Sequence, residues 1–153
     1  LLYFADAHFI IALARAGRTE AIQEMLASLR QAAQRDDTPC QVFALIGLTL
    51  AEAIVSFHEG RFDAAFERLL PERYDVIAIG GSHAQRDLFA LVLTEAALQG
   101  KRATDARALL AERIGLKPKN PHAWRRYAEA LELAGDATAA KTARQQCSTL
   151  LSA

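Results

Sequence analysis

The chain has 153 residues, 52% of them hydrophobic and only 7% aromatic, and eighteen Lys and Arg balance eighteen Asp and Glu. That length suits one domain with a buried core. Zero net charge, with basic residues scattered rather than striped, argues against nucleic acid or an anionic membrane as partner. The two cysteines, Cys40 and Cys147, match no metal-ligand spacing, so a disulfide scaffold, a bound metal and a cofactor are all unexpected, and a reducing, cytoplasmic setting is the plain reading.

The chain opens on Leu1-Leu2-Tyr3-Phe4, apolar from the first residue and without a basic leader, so no signal peptide is recognisable. A solenoid end normally shows a polar outer face. Two expectations follow: the chain is the C-terminal part of a longer protein, or another subunit covers this end, as in a homodimer through the apolar N-terminal helices. Phe9, Ala12, Leu13 and Ala16 keep helical spacing and mark a first helix over 2–16, and Ile22, Leu26 and Leu29 mark a second over 18–34. Thr38-Pro39 puts a capping residue before a proline and starts a third helix, 39–59. Cys40 follows at that start, where the helix dipole could activate its thiol, although a small buried filler is the simpler role. Val42 to Phe57 is the most apolar stretch, but Glu52 interrupts it and it falls short of the roughly 20 residues a bilayer needs. It reads as a helix buried on nearly all sides.

A fourth helix is expected over 61–70. Segment 71–81 is then an insertion, with a short helix over Arg73 to Ile79. Ser82 with Gln85 three residues on forms a capping-box pattern and opens a helix over 82–99. Helices over 102–115, 121–134 (opened by Asn120-Pro121) and 136–151 complete the chain. In the last, Ala140, Ala143, Cys147 and Leu150 share one face, as in a C-terminal cap. No alternating β-branched run competes, so no strands are expected.

The elements repeat. Gly17, Gly60, Gly100 and Gly135 each sit between two helical segments, at intervals of 43, 40 and 35, and each is followed by a small residue: Ala21, Ala64, Ala106 and Ala140. Glycine suits a helix end that turns through the left-handed region, and the alanine lets paired helices approach closely. The spacing contracts toward the tetratricopeptide period of 34 residues. In the last unit Trp124, Ala128, Leu131, Gly135 and Ala140 follow that repeat's large-small-large-Gly-Ala order, with Trp124 read as a core wedge between helices. The third unit has one residue inserted after Gly100. The expected fold is therefore all-α, a right-handed superhelix of about four hairpins in units of roughly 1–36, 37–80, 81–118 and 119–153.

Phe4-Ala5-Asp6-Ala7-His8, Ile79 to Phe89 and Ala108 to Arg113 together resemble the C-terminal portion of the tetratricopeptide repeat protein 38 family. The run Gly80-Gly81-Ser82-His83-Ala84-Gln85-Arg86-Asp87 is the most specific part of that resemblance. It implies the helical-repeat fold and a longer parent chain, and it supplies little chemistry.

Candidate sites concentrate in three places. Around Gly80-Gly81 the polar side chains Ser82, His83, Gln85, Arg86 and Asp87 gather at a helix start, where free N–H groups can hold an anion and Arg86 can add a bidentate contact. The alternative is that Ser82 caps the helix while Arg86 or Asp87 ties it to its neighbour. Asp6 and His8 are about 200° apart on a helix and cannot chelate one metal. His8 brought near His83 or Asp87 would still form an acid/base constellation, against the simpler role of a buried structural histidine. On the last unit His122, Arg125, Glu129 and Glu132 form a polar stripe at positions that face the groove in tetratricopeptide repeats, or else a solvated face with Arg125 paired to Glu129. Motifs of hydrolases, zinc proteases, dinucleotide or Ca²⁺ binding are absent. The leading expectation is a scaffold that binds a protein or peptide through a concave groove. The rival is the C-terminal part of an enzyme or small-anion-binding protein using the Gly80 to Asp87 segment.

Overall fold

The computed structural model describes residues 3–34 and 38–152, with side chains from 5–34 and 41–152. Eight helices run in order: α1 Tyr3–Arg15, α2 Thr19–Ala33, α3 Thr38–His58, α4 Phe62–Glu72, α5 His83–Gln99, α6 Ala103–Leu116, α7 Pro121–Leu133 and α8 Ala137–Leu151, with a 3-10 segment at Asp75–Ile79. Among the described residues there is no strand. The side chains of Thr38, Pro39 and Cys40 lie outside the described residues. Cys147 is a half-buried thiol.

The four hairpin turns are built alike. The residue after each left-handed position donates to the carbonyl five residues back: Arg18 to Leu13, Arg61 to Ser56, Arg102 to Ala97 and Asp136 to Leu131, at 2.9–3.0 Å. This closure satisfies carbonyls that a helix end otherwise leaves without partners. Gly17, Gly60 and Gly135 hold the left-handed position, with φ of 65°, 76° and 81°. At the third turn it is not Gly100 but Lys101, at φ 59°. The residue inserted there moves the turn one place along. The alanine expectation also shifts: the fully or nearly fully buried positions one turn into the second helices are Ile22, Ala65, Ala106 and Ala140, while Ala21 and Ala64 are only half-buried.

Helix starts are uneven. Asn120 accepts from the Ala123 N–H at 3.2 Å, with Pro121 following it, and Asp136 accepts from Ala139 at 2.9 Å. Arg18, Arg61 and Arg102 occupy the equivalent capping position and supply no side-chain cap.

The chain divides into two compact units between Ala96 and Ala97, inside α5. In the first, α3 packs against α1, α2, α4 and the 3-10 segment. Its core holds Ile10, Leu26, Leu29, Leu50, Ile54 and Phe66, each at most 3% exposed. Burial of such side chains contributes about 1.5–3 kcal/mol apiece. α3 is not buried on nearly all sides, however. Its first turns place Ala44 against Ala32 and Ala33 of α2, which leaves Val42, Phe43 and Leu45 between 36% and 48% exposed. By length and composition alone Gln41–His58 of α3 could cross a membrane; half of that stretch is packed inside the unit.

The second unit centres on α7, which packs against α6 on one side and α8 on the other. Ala128 and Leu131 meet Ala140 and Ala143, with Trp124 and Tyr127 packed against them. Alanines at the crossing let the backbones approach closely. Trp124 is wedged there as its spacing predicts, and its indole N–H donates to the Pro118 carbonyl at 2.8 Å.

Candidate functional site at the interruption of the repeat

The departure from regular hairpins begins at Pro71 near the end of α4. Proline has no N–H to donate and disfavours further helix. The chain tightens into the 3-10 segment and then meets Gly80 at φ 86°, ψ −155°, a conformation essentially confined to glycine. Gly81 follows at φ 80°. Two successive positive φ values reverse the chain so that α5 can begin.

That beginning is a full capping box. The Ser82 N–H donates to Gln85 Oε1 at 2.9 Å, and the Gln85 N–H donates to Ser82 Oγ at 3.4 Å. Arg86, one turn on, sends Nη1 back to the carbonyls of Gly81 and, at 3.3 Å, Gly80. Ser82, Gln85 and part of Arg86 are thus engaged in holding the turn.

The turn encloses one side of a cavity of about 190 Å³. Its floor is apolar: Leu69 from α4, Val76 from the 3-10 segment, and Phe89 and Leu93 from α5. Its rim carries Arg73, His83 and Arg86. Beside them Tyr74 and Ile77 stand 66% and 64% exposed. The Arg73 guanidinium lies 4.3 Å from the centre of the Tyr74 ring and donates to its hydroxyl, which keeps the aromatic edge upright at the mouth. This is a small apolar recess with a basic rim.

The acid/base constellation does not assemble on this lining. His83 faces the cavity, but His8 and Asp87 are not among the lining residues. The His8 ring instead packs edge-on against Phe89, centroids 5.4 Å apart, from the α1 side. Asp6 is half-buried with Oδ2 unpartnered among the described residues, and burial raises its carboxyl above the usual range. No group of three His, Cys, Asp or Glu side chains among the described residues is arranged to hold a metal.

On α7 the polar stripe is only partly open. Glu129 pairs with Arg126, its i,i+3 neighbour, and not with Arg125. Glu132 pairs across to Arg144 of α8. His122 and Arg125 remain exposed.

Sequence reasoning placed a short helix at Arg73 to Ile79 but missed Tyr74 and Ile77 as surface features. The available signal was a cluster of large apolar residues in a segment too short to bury them all. No family model and no solved structure matches the chain.

Proposed function

We propose that the chain is an interaction module of tetratricopeptide-like hairpins, stacked as a right-handed superhelix, that binds a protein or peptide. The left-handed turn positions support the repeat reading: with Lys101 in place of Gly100 the intervals become 43, 41 and 34, and the last equals the tetratricopeptide period. The proposal keeps the resemblance to the tetratricopeptide repeat protein 38 family and a cytoplasmic location.

The observation that carries the binding role is the recess at the interruption, with an apolar floor, two exposed apolar side chains at its mouth and a basic rim. Its ligand is a peptide segment that presents one apolar side chain beside an acidic one. The apolar group fills the floor over Leu69 and Phe89, and the carboxylate meets Arg73 or the open edge of Arg86. Exposed His122 and Arg125 on α7 belong to the groove-facing stripe of the same reading and form a further contact surface.

Fluorescence polarisation against an array of short peptides tests this. Peptides with an apolar residue next to Asp or Glu are expected to bind, and Ile77→Asp is expected to weaken them by more than about tenfold, as for a central interface residue. Ile77 is exposed, so the substitution leaves the fold intact. Binding that is indifferent to Ile77→Asp, or absent across the array, refutes the proposal.

A further inference from the structure

Net charge is zero over the whole chain but not along it. From Arg113 to Ala128 there are five Lys and Arg (Arg113, Lys117, Lys119, Arg125 and Arg126) and no Asp or Glu. The run spans the end of α6, the connecting loop and the first turns of α7. Like charges set so close repel one another unless carboxylates lie opposite them. Packing answers for two of the five: Arg113 is only 9% exposed and engaged, and Arg126 pairs with Glu129. That pair takes the carboxylate one helical turn from Arg125. Lys117, Lys119, His122 and Arg125 stay exposed. The side chains of Lys119, His122 and Arg125 make no hydrogen bond or ion pair among the described residues.

The backbone beneath these cations is fixed. The Lys117 N–H donates to the Arg113 carbonyl at 2.9 Å, and the Asn120 N–H donates to the Lys117 carbonyl at 3.1 Å. The Trp124 indole holds the Pro118 carbonyl, Asn120 caps α7, and Pro118 and Pro121 restrict φ at two further positions. Residues 117–121 therefore line a shallow, open depression whose shape is set before anything binds, and such preorganisation lowers the ordering cost of association. Immediately before it, Leu116 ends α6 with 75% of its surface exposed, more than any other large apolar side chain among the described residues.

We propose that this loop and the first turn of α7 dock an acidic protein segment that carries one apolar side chain. Its carboxylates meet Lys119, His122 and Arg125, and its apolar group covers Leu116. The sign of the partner follows from charge complementarity. Protein is favoured over nucleic acid because single strands are held by bases stacked on open aromatic rings, whereas Trp124 and Tyr127 are packed against the α7–α8 core. Leu116 likewise finds no apolar match on a phosphate backbone. A bilayer surface is disfavoured because a single leucine gives too little apolar area to insert. The inference extends the interaction-module reading but uses neither the recess nor Ile77, so the two can fail separately.

Fluorescence polarisation of the full chain with a labelled peptide, Glu throughout except for a central Leu, tests it. A length of about ten residues spans the loop at roughly 3.3 Å per residue. Saturable binding is expected with a dissociation constant on the order of 0.1 mM at about 0.05 M salt, weakening at least about threefold at about 0.3 M. The analogue with Gln in place of Glu is expected not to bind. Combining Lys119→Glu with Arg125→Glu is expected to weaken binding by more than about tenfold, and Leu116→Ser by about fivefold. All three side chains are exposed, so the fold survives these changes, and Ile77→Asp should leave this affinity unchanged. No saturable binding, equal binding of the Gln analogue, or indifference to the double variant overturns the inference. So does a loss with Ile77→Asp as large as with the double variant, or equal or tighter binding of oligothymidylate or of anionic lipid vesicles. If the Glu peptide fails while the peptide array still binds through Ile77, only this inference falls.

Discussion

Lys101 is the one described non-glycine residue with a positive φ, and replacing it with glycine isolates the cost of that conformation. A side chain with a Cβ in the left-handed region costs roughly 1–2 kcal/mol, and glycine's greater freedom in the unfolded chain returns about 0.5–1 kcal/mol of this. The Lys101 side chain is exposed and makes no hydrogen bond or ion pair, so nothing else is lost. Lys101→Gly should therefore stabilise the protein by about 0.5–1 kcal/mol. The converse control is Gly60→Ala. A Cβ built there meets no heavy atom within 4 Å, so its penalty is conformational and not a clash. It should destabilise by about 1 kcal/mol. Urea unfolding measures both, read as a shifted midpoint at constant slope. If Lys101→Gly lowers stability, or Gly60→Ala leaves it unchanged, the common geometry assigned to the turns is wrong.

Capping predicts a second pair. Asp136→Ala, which removes the acceptor of the Ala139 N–H, should cost about 1 kcal/mol, whereas Arg18→Asp, at a start with no side-chain cap, should gain a similar amount in the same urea assay. His58 sits at the end of α3, where burial and then the Arg15 charge lower its pKa below 6.5. The unfolded chain takes up a proton there that the folded chain resists, so this stability is present above pH 6.5 and is lost as pH falls through that value. His58→Gln should shrink the loss of stability between neutral and mildly acidic pH, and an unchanged profile would count against the assignment. Asp6 has the opposite sign: burial raises its carboxyl above 3.8, so the folded chain keeps that proton to higher pH than the unfolded chain and ionisation opposes folding. Asp6→Asn should raise the melting temperature at pH 7, with the gain vanishing toward pH 3.8; a variant less stable at pH 7 would contradict the unpartnered Oδ2.

Much of the fold was legible along the chain because its causes are local. Helix boundaries follow from apolar spacing, prolines and glycine turns, and the Ser82–Gln85 box and Asn120 cap operate within four residues of themselves. The place where the repeat breaks was equally plain, since Pro71 and Gly80-Gly81 act on their own backbone. What tertiary structure decided depends on neighbours distant in sequence. Only packing against α2 selects Ala44 for burial and leaves Val42 and Leu45 in solvent. Whether Glu129 meets Arg125 or Arg126 turns on which side chain the surroundings hold in reach. The recess under Tyr74 needs α4, the 3-10 segment and α5 together, and the pairing of Glu52 with Arg30 and Arg68 joins three helices that no spacing rule connects. The hairpins were written in local chemistry, while the recess and the Glu52 pairing came from the convergence of separate helices.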